Sequence, residues 1–341
     1  MTRSLFVTAL LIGLVSSLSA AEPAATAEDI RAAVVKALPL IQKGSNGHRA
    51  KRTCFACHHQ AIPLFALTAA RSRGISIKEE DVQKHLQHIA DFLGKNREGY
   101  REGRGQGGQA DTAGYALWTL ETGGWKPDET TAAVAEYLLR RHKDLDHWRS
   151  TANRPPSEKS SFTSTYVSLR GLQAFGTKEQ KKRIDERIRV VRGWLEKTPA
   201  KDTEDRVFRL WAMQRAGSEA KKVQAAAREL IETQREDGGW AQRDDMKSDA
   251  YATGTALAVL HHAAGLAAND PIYQRGIKYL LASQAKDGTW HVHSRSKPFQ
   301  TYFESGFPNG KDQFISLAAS SWATTVLALA LPPVERRAAS R

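Results

Sequence analysis

The sequence reads Gln234-Arg-Glu-Asp-Gly-Gly-Trp240 and, about fifty residues later, Gln284-Ala-Lys-Asp-Gly-Thr-Trp290. We call these two stretches the Gln–Trp turns. Each follows a segment whose apolar residues recur at helical spacing. The Asp-Gly pair in each predicts a tight turn, because glycine adopts backbone conformations that other residues avoid. A pattern that repeats at this period is typical of a fold built from repeated helical units.

The chain alternates between two kinds of helical segment. One kind has a single apolar stripe and can face water, whereas the other is apolar or small on nearly all sides and must be surrounded. The first kind predicts outer helices at 30–41, 82–93, 132–145, 184–195, 223–231 and 272–281. The second kind predicts inner helices at 61–70, 112–120, 163–175, 206–216, 250–264 and 318–331.

Six inner helices ringed by six outer ones predict an all-α fold, an α/α toroid of about six helical hairpins. Strand patterns are sparse, and no Ser- or Pro-rich linker divides the chain. We therefore expect residues 22–341 to form one domain. Four polar side chains are expected to accept hydrogen bonds at the N-termini of inner helices, namely Asp111, Ser164, Asp205 and Asp249.

Residues 1–21 form a predicted signal peptide. Arg3 precedes an apolar run from Leu5 to Val15, and small residues follow, as in cleaved secretory signals. The apolar run is shorter than the roughly 20 residues that span a bilayer, so we expect a periplasmic or secreted protein without a membrane span. The net charge of +13 is scattered over many helices, which favours solvated surfaces over a nucleic-acid partner.

The Gln–Trp turns resemble the QW motif of squalene-hopene and oxidosqualene cyclases. The resemblance covers most of the chain after residue 80. It implies the toroid of the squalene-cyclase and prenyltransferase repeat family, in which the Gln caps neighbouring helix ends and the Trp packs over it. Weaker echoes of the family are Gly123-Gly124-Trp125, Asp146-His147-Trp148 and the tail Ser305-Gly306-Phe307-Pro308.

The resemblance also argues against ordinary squalene cyclisation. The cyclases protonate their substrate with the middle Asp of an Asp-x-Asp-Asp-Thr-Ala motif, and the best local match here is Gly108-Gln109-Ala110-Asp111-Thr112-Ala113. Ala110 stands in the place of the proton donor. The related protein prenyltransferases bind zinc through an Asp-x-Cys pair, which this chain lacks. Whether the protein is an enzyme therefore stays open.

The two cysteines of the chain lie in Cys54-Phe55-Ala56-Cys57-His58, the CxxCH signature of covalent haem c. We predict Cys54 and Cys57 as the attachment sites and His58 as the iron ligand. The alternatives are a disulfide between the two cysteines, or a zinc site. The zinc ligands would be Cys54, Cys57, His59, His291 and His293. Candidates for a second iron ligand are His59, His291, His293, Met213 and Met246.

Three functions are compatible with these features. The first is a redox or sensing protein that carries haem and meets a redox partner. The second is a cyclase-like enzyme or binder that holds an apolar, isoprenoid-like ligand in an aromatic cavity. The third is a noncatalytic binding module. The candidate cavity residues are Asp111, Asp249, Tyr115, Trp118 and Tyr251, with Tyr166, Trp211 and Trp322 as further inner-helix aromatics.

Overall fold

The computed structural model describes residues 25–298 and 300–334. Within these ranges the chain forms thirteen α-helices, and β-structure is limited to two isolated bridges. The predicted all-α class is therefore confirmed. The predicted signal peptide, residues 1–21, lies outside the described residues.

Twelve of these helices alternate between an outer and an inner ring. The outer helices are α1 (Ala27–Lys51), α3 (Glu79–Gly94), α6 (Glu129–Arg140), α8 (Lys181–Lys197), α10 (Ala220–Ile231) and α12 (Pro271–Ser283). The inner helices are α2 (Ile62–Ser72), α5 (Gln109–Thr122), α7 (Ser161–Phe175), α9 (Thr203–Arg215), α11 (Ala250–Ala264) and α13 (Gln313–Ala330). The short α4 (Arg97–Arg101) lies in the connection from α3 to α5, and a π-helical turn, Cys57–Ala61, leads into α2.

The ring closes because the first and last hairpins pack together. Each inner helix contacts the next along the chain, and α13 contacts both α1 and α2. This closure confirms the toroid. Among the described residues, one segment is long and apolar enough to cross a membrane, Gly310–Ala330, and 83% of its apolar window is buried in the protein. Most of that segment is α13, a core helix of the ring.

The tryptophan of each Gln–Trp turn seals the end of the preceding outer helix. Trp240 Nε1 donates a hydrogen bond to the carbonyl of Leu230 at 3.0 Å, and Trp290 Nε1 donates to that of Leu280 at 2.8 Å. Trp148, in one of the weaker echoes, makes the same bond to the carbonyl ten residues before it, at 2.9 Å. The backbone N–H of each tryptophan donates to a hydroxyl on the next inner helix, those of Thr165, Thr253 and Ser320.

The glutamine of each turn links its repeat to the next outer helix. Gln234 Nε2 donates to the carbonyl of Ile272 on α12 at 2.9 Å. Gln284 Nε2 donates to the carbonyl of Ala33 on α1, also at 2.9 Å. Since α1 is the first helix and α12 belongs to the last hairpin, Gln284 ties the two ends of the ring together.

The predicted helix caps are only partly correct. Asp249 caps α11 by accepting the N–H groups of Tyr251 and Ala252. The caps of α7 and α9 are Ser160 and Asp202, about one turn before the predicted Ser164 and Asp205. Asp111 lies inside α5, where its side chain is buried rather than at the cap. Ser160 and Ser164, like Asp202 and Asp205, lie about one turn apart, so the capping pattern has more than one match at the starts of α7 and α9.

We expect Gly288→Ala to destabilise the protein more than Gly265→Ala. Both glycines have positive φ, +95° and +73°. A Cβ on Gly288 would lie 2.6 Å from the carbonyl oxygen of Lys36 on α1, whereas one on Gly265 meets nothing within 4 Å. Left-handed backbone costs other residues about 1–2 kcal/mol, so Gly265→Ala should lose roughly that much and Gly288→Ala at least about 1 kcal/mol more. Urea denaturation measures both, and equal losses would contradict a ring-closing role for this turn.

Candidate functional site

The toroid has two mouths, each with a cavity. Outer and inner helices alternate along the chain, so all inner helices run in the same direction and their N-termini meet at one mouth. The cavity at this N-terminal mouth has a volume of about 510 Å³, and its wall includes His58, Arg154, Glu158 and Asp312. The cavity at the C-terminal mouth has a volume of about 390 Å³ and is lined by all six inner helices.

The CxxCH segment lies at the N-terminal mouth, where Cys57 begins the π-helical turn before α2. Both cysteines are free thiols, so the alternative of a disulfide between them is not found. Cys54 is exposed, whereas Cys57 is buried and donates to Glu158 Oε1 at 2.9 Å. Burial and the adjacent Glu158 carboxylate raise the pKa of Cys57 well above its ordinary value. The Cys57 thiol is therefore protonated at neutral pH.

Five of the eleven histidines gather around this segment. His58 Nδ1 and His59 Nδ1 lie 2.5 Å apart, and the ring of His48 lies 5.1 Å from that of His59. Burial lowers the pKa of His58 to about 3 and that of His48 to about 4, so both are neutral at pH 7. Four buried ring nitrogens have no hydrogen-bond partner within the described chain: His48 Nδ1, His59 Nε2, His85 Nδ1 and His88 Nε2.

His58 has one ring nitrogen engaged by a neighbouring histidine. Its Nδ1 is engaged by His59, and its Nε2 makes no hydrogen bond to the described residues. A ligating imidazole is commonly held through its second ring nitrogen in this way. His58 and Glu158, the partner of Cys57, both belong to the wall of the N-terminal cavity, whose volume lies in the range of ligand pockets. His58 and the partner of Cys57 thus border one cavity, whereas Cys54 and Cys57 themselves are not among its lining residues.

The residues of the zinc alternative do not form one ligand set. Within the described ranges, one group brings three ligand atoms of His, Cys, Asp or Glu within 4.8 Å of one another: His291, His293 and Asp312. The thiol of Cys57 instead contacts Glu158. The CxxCH segment and the loop with the two histidines thus lie at two places of the same mouth, and the zinc alternative stays a prediction.

The other candidates for a second iron ligand lie in different surroundings. Met213 is buried in the core on α9. Met246 lies in the loop between the first Gln–Trp turn and α11. His59 is the buried neighbour of His58. His291 and His293 are exposed at the rim of the mouth. The structure thus does not single out one of them.

Two buried acids lie in the first turns of α5 and α9. Asp111 accepts a hydrogen bond from Ser164, and Glu204 accepts from Thr163 at 2.9 Å and from Tyr251 at 3.2 Å. Burial raises the pKa of Asp111 to about 7 and that of Glu204 to about 8. Glu204 is therefore largely protonated at neutral pH, and Asp111 is close to half protonated.

The predicted cavity residues divide between the cavity wall and the solid core. Trp118 lines the C-terminal cavity, as do the further aromatics Tyr166, Trp211 and Trp322. Tyr115 and Tyr251 are fully buried and are absent from the walls of both cavities. The same holds for Asp111 and for Asp249, which caps α11.

Three tryptophans meet across the axis of the toroid. Trp118, Trp211 and Trp322 come from three alternate inner helices, α5, α9 and α13, and their ring centroids lie 5.8–6.2 Å apart. Because their rings touch, they close the lumen and form an aromatic floor beneath the C-terminal cavity. We infer that the two mouths are not joined by one continuous cavity.

The sequence analysis did not identify three of the residues that form these sites. Glu204 lies in Asp202-Thr203-Glu204-Asp205, which resembles an ordinary acidic first turn. Glu158 follows a proline pair in a loop, and Asp312 precedes an apolar helix. None of the three has a short-range spacing signal, because their partners are distant in sequence.

Comparison with known proteins supports the fold and part of the sequence. Residues 202–324 match the family model of the squalene-hopene cyclase C-terminal domain. The apo structure of the type II terpene cyclase MstE from Scytonema is similar with a TM-score of 0.55 at 14% identity, covering 90% of this chain and 99% of that chain. A variant of MstE in complex with its substrate, geranylgeranyl dihydroxybenzoate, gives 0.57 at 13% identity, covering 89% and 99%. No curated protein is similar enough in sequence to count as a match.

The fold is thus that of a terpene-cyclase-type α/α toroid. Residues 202–324 are similar in sequence to the squalene-hopene cyclase C-terminal domain, in line with the resemblance of the Gln–Trp turns, and the likeness of the rest of the chain is one of fold.

We expect Glu204→Gln to change how stability depends on pH. Burial raises the folded-state pKa of Glu204 to about 8, above the ordinary value of 4.5. The folded state therefore binds this proton more tightly than the unfolded state, and the associated stability is lost as pH rises from about 4.5 through about 8. A neutral amide has no such loss. The free energy of unfolding of the variant, relative to that of the wild type, should therefore increase by a few kcal/mol between about pH 5 and about pH 8.

Urea denaturation at several pH values measures this difference. Glu80→Gln is the matched control, because the Glu80 side chain is 79% exposed, and its profile should follow that of the wild type. A constant offset between Glu204→Gln and the wild type across this pH range would show that Glu204 is not held protonated.

Proposed function

We propose that this protein is exported and carries a covalent haem c at Cys54, Cys57 and His58, acting in electron transfer or in sensing. The observation that carries the proposal is the position of His58, on the wall of a cavity of about 510 Å³ with its Nδ1 engaged by His59. The CxxCH sequence supports it, because this spacing is the attachment signature of haem c. The predicted signal peptide supports export. When bound, haem would supply a one-electron couple.

The residues around His58 would define the environment of the iron. His59 would fix the plane of the His58 ring and raise the basicity of its Nε2. The ring of Phe314 lies 5.1 Å from that of His58 and keeps water from one side of the imidazole. Glu158 and Arg154 pair with each other and supply a polar edge to the same cavity. A redox partner would reach the site from this mouth.

A second proposed function is the binding of an apolar, isoprenoid-like molecule at the C-terminal mouth. The aromatic floor supplies an apolar base for the cavity of about 390 Å³. Its rim is polar, since Arg170 and Arg215 both pair with Glu121, at 2.5 and 3.2 Å, and both line the cavity. These features suit a molecule with an apolar chain and a polar head. The substrate of MstE joins a geranylgeranyl chain to a dihydroxybenzoate head.

Binding without squalene-type cyclisation is the form of this second function that we propose. Ala110 has no acidic group at the position that matches the cyclase proton donor. The neighbouring Asp111 is buried and bonded to Ser164, and it is absent from the walls of both cavities. An acid that protonates a substrate has to reach it directly or through one water.

Expression in a periplasm with haem-maturation machinery tests the first proposal. We expect a Soret band, one haem per chain in a denatured sample, and loss of the covalent haem in Cys57→Ser. His59→Ala should keep the haem but shift its reduction potential, because the partner of the His58 Nδ1 changes. His147→Ala is the control, since His147 pairs with Asp146 and should keep both the haem and its potential. A mature protein without a Soret band would exclude this function.

Titration with geranylgeranyl dihydroxybenzoate tests the second proposal. We expect saturable quenching of tryptophan fluorescence, because three indoles line the cavity. Ala69→Phe, which places a ring in the cavity, should weaken binding at least about tenfold, or about 1.4 kcal/mol. Ala174→Phe adds the same volume at a partly buried position away from the cavity and should bind like the wild type. Equal affinities for the two variants would refute binding at this mouth.

A further inference from the structure

We propose that His291, His293 and Asp312 bind a divalent first-row transition metal, such as Zn²⁺, at the rim of the N-terminal mouth. This site does not include Cys54, Cys57 or His58, the residues of the proposed haem attachment. Imidazole and carboxylate donors suit Zn²⁺, Fe²⁺ and Ni²⁺.

The three ligand atoms already converge. His291 Nε2 lies 2.9 Å from Asp312 Oδ2, and His293 Nδ1 lies 3.1 Å from the same oxygen. All three atoms lie within 4.8 Å of one another. Ligand atoms bonded to a metal at about 2.1 Å and separated by about 90–110° lie roughly 3.0–3.4 Å apart. The two histidine–aspartate contacts thus already have nearly the separation of metal ligands, and the two imidazole nitrogens, within 4.8 Å of each other, would close around one ion.

The fold holds the two histidines on one side of a fixed segment. His291 and His293 flank Val292, and alternate residues of an extended segment point the same way. Val292 is buried, its N–H donates to Ser316 Oγ at 3.1 Å, and that hydroxyl donates to the Val292 carbonyl at 3.2 Å. Trp290, which directly precedes His291, is fixed by the second Gln–Trp turn. The segment is thereby anchored to α13, next to Asp312.

Asp312 is oriented by the backbone of the neighbouring loop. Its Oδ1 accepts the N–H of Ser294 at 2.8 Å, which leaves Oδ2 to the two histidines. A hydrogen bond to the second oxygen orients a ligating carboxylate, as outer-shell contacts do in metal sites.

The proposed site is open rather than closed. The His293 side chain is 86% exposed and that of His291 44% exposed. Three protein ligands leave at least one coordination position for water or a bound molecule, which is the pattern of reactive rather than structural zinc sites. Asp312 also lines the N-terminal cavity, so the ion would lie at its rim. A ligand in that cavity could take the open position.

Titration of the chelator-treated protein with ZnCl₂ by calorimetry tests the proposal, and the absorption spectrum of added Co²⁺ reports the coordination. We expect the wild type to bind one equivalent of zinc. The double variant His291→Ala/His293→Ala should bind zinc at least about 100-fold more weakly. Asp312→Asn should weaken binding while keeping the hydrogen bonds of the loop. The matched control is His147→Ala, since His147 and Asp146 form a His–Asp pair at 2.7 Å. It should bind like the wild type.

Two outcomes would overturn the proposal. One is an absence of zinc binding at micromolar concentration by the folded wild type. The other is an equivalent that survives in His291→Ala/His293→Ala and disappears in Cys57→Ser, which would locate the ion at the CxxCH segment. Circular dichroism melts of all variants verify that each is folded. A failed haem test would leave this experiment unaffected, because the ligands differ.

Discussion

Closure of the ring is the constraint on which both mouths depend. The hydrogen bond from Gln284 to the carbonyl of Ala33 joins residues 251 positions apart, and the turn that carries it fits α1 so closely that a Cβ on Gly288 would meet the Lys36 carbonyl. Once the ring is closed, the loop after the second Gln–Trp turn lies beside the CxxCH segment. The contact between the rings of His58 and Phe314 exists only in that arrangement. An open superhelix of the same hairpins would leave the N-terminal mouth without one of its walls.

The lumen is divided in two because aromatic side chains fill its centre. Indoles from α5, α9 and α13 meet at the axis, and aromatic surface of this size contributes strongly to a core. One buried acid near the N-terminal mouth is kept largely neutral, since a buried carboxylate without a cation is costly while a protonated acid can be satisfied by hydroxyls. Glu204 with Thr163 and Tyr251 is the example. Each mouth therefore has its own chemistry, apolar at one end and rich in imidazole and thiol at the other.

The sequence was sufficient for the fold and for the local motif, and insufficient for contacts that depend on closure. Helical periodicity and the two Gln–Trp turns predicted the twelve ring helices, because amphipathic and all-apolar stripes respond to burial directly. The caps of α7 and α9 were wrong by about a turn, since Ser160 and Ser164, or Asp202 and Asp205, suit the pattern equally well. Cys54, Cys57 and His58 could be proposed as a site from the sequence because five consecutive residues carry the signature. Asp312 was not, because it meets His291 and His293 only through the packing of α13.

The toroid fold does not require that its chemistry lie in the lumen. The type II terpene cyclase MstE, which has a similar fold, binds geranylgeranyl dihydroxybenzoate as its substrate. In this chain the position that matches the cyclase acid is Ala110, and the axis at mid-height is closed by tryptophan. The residues proposed to bind iron or zinc lie instead on loops and first turns at the N-terminal mouth, where the rigid ring positions them. The toroid thus serves as a rigid frame that keeps these residues apart from the C-terminal cavity, on the other side of the aromatic floor.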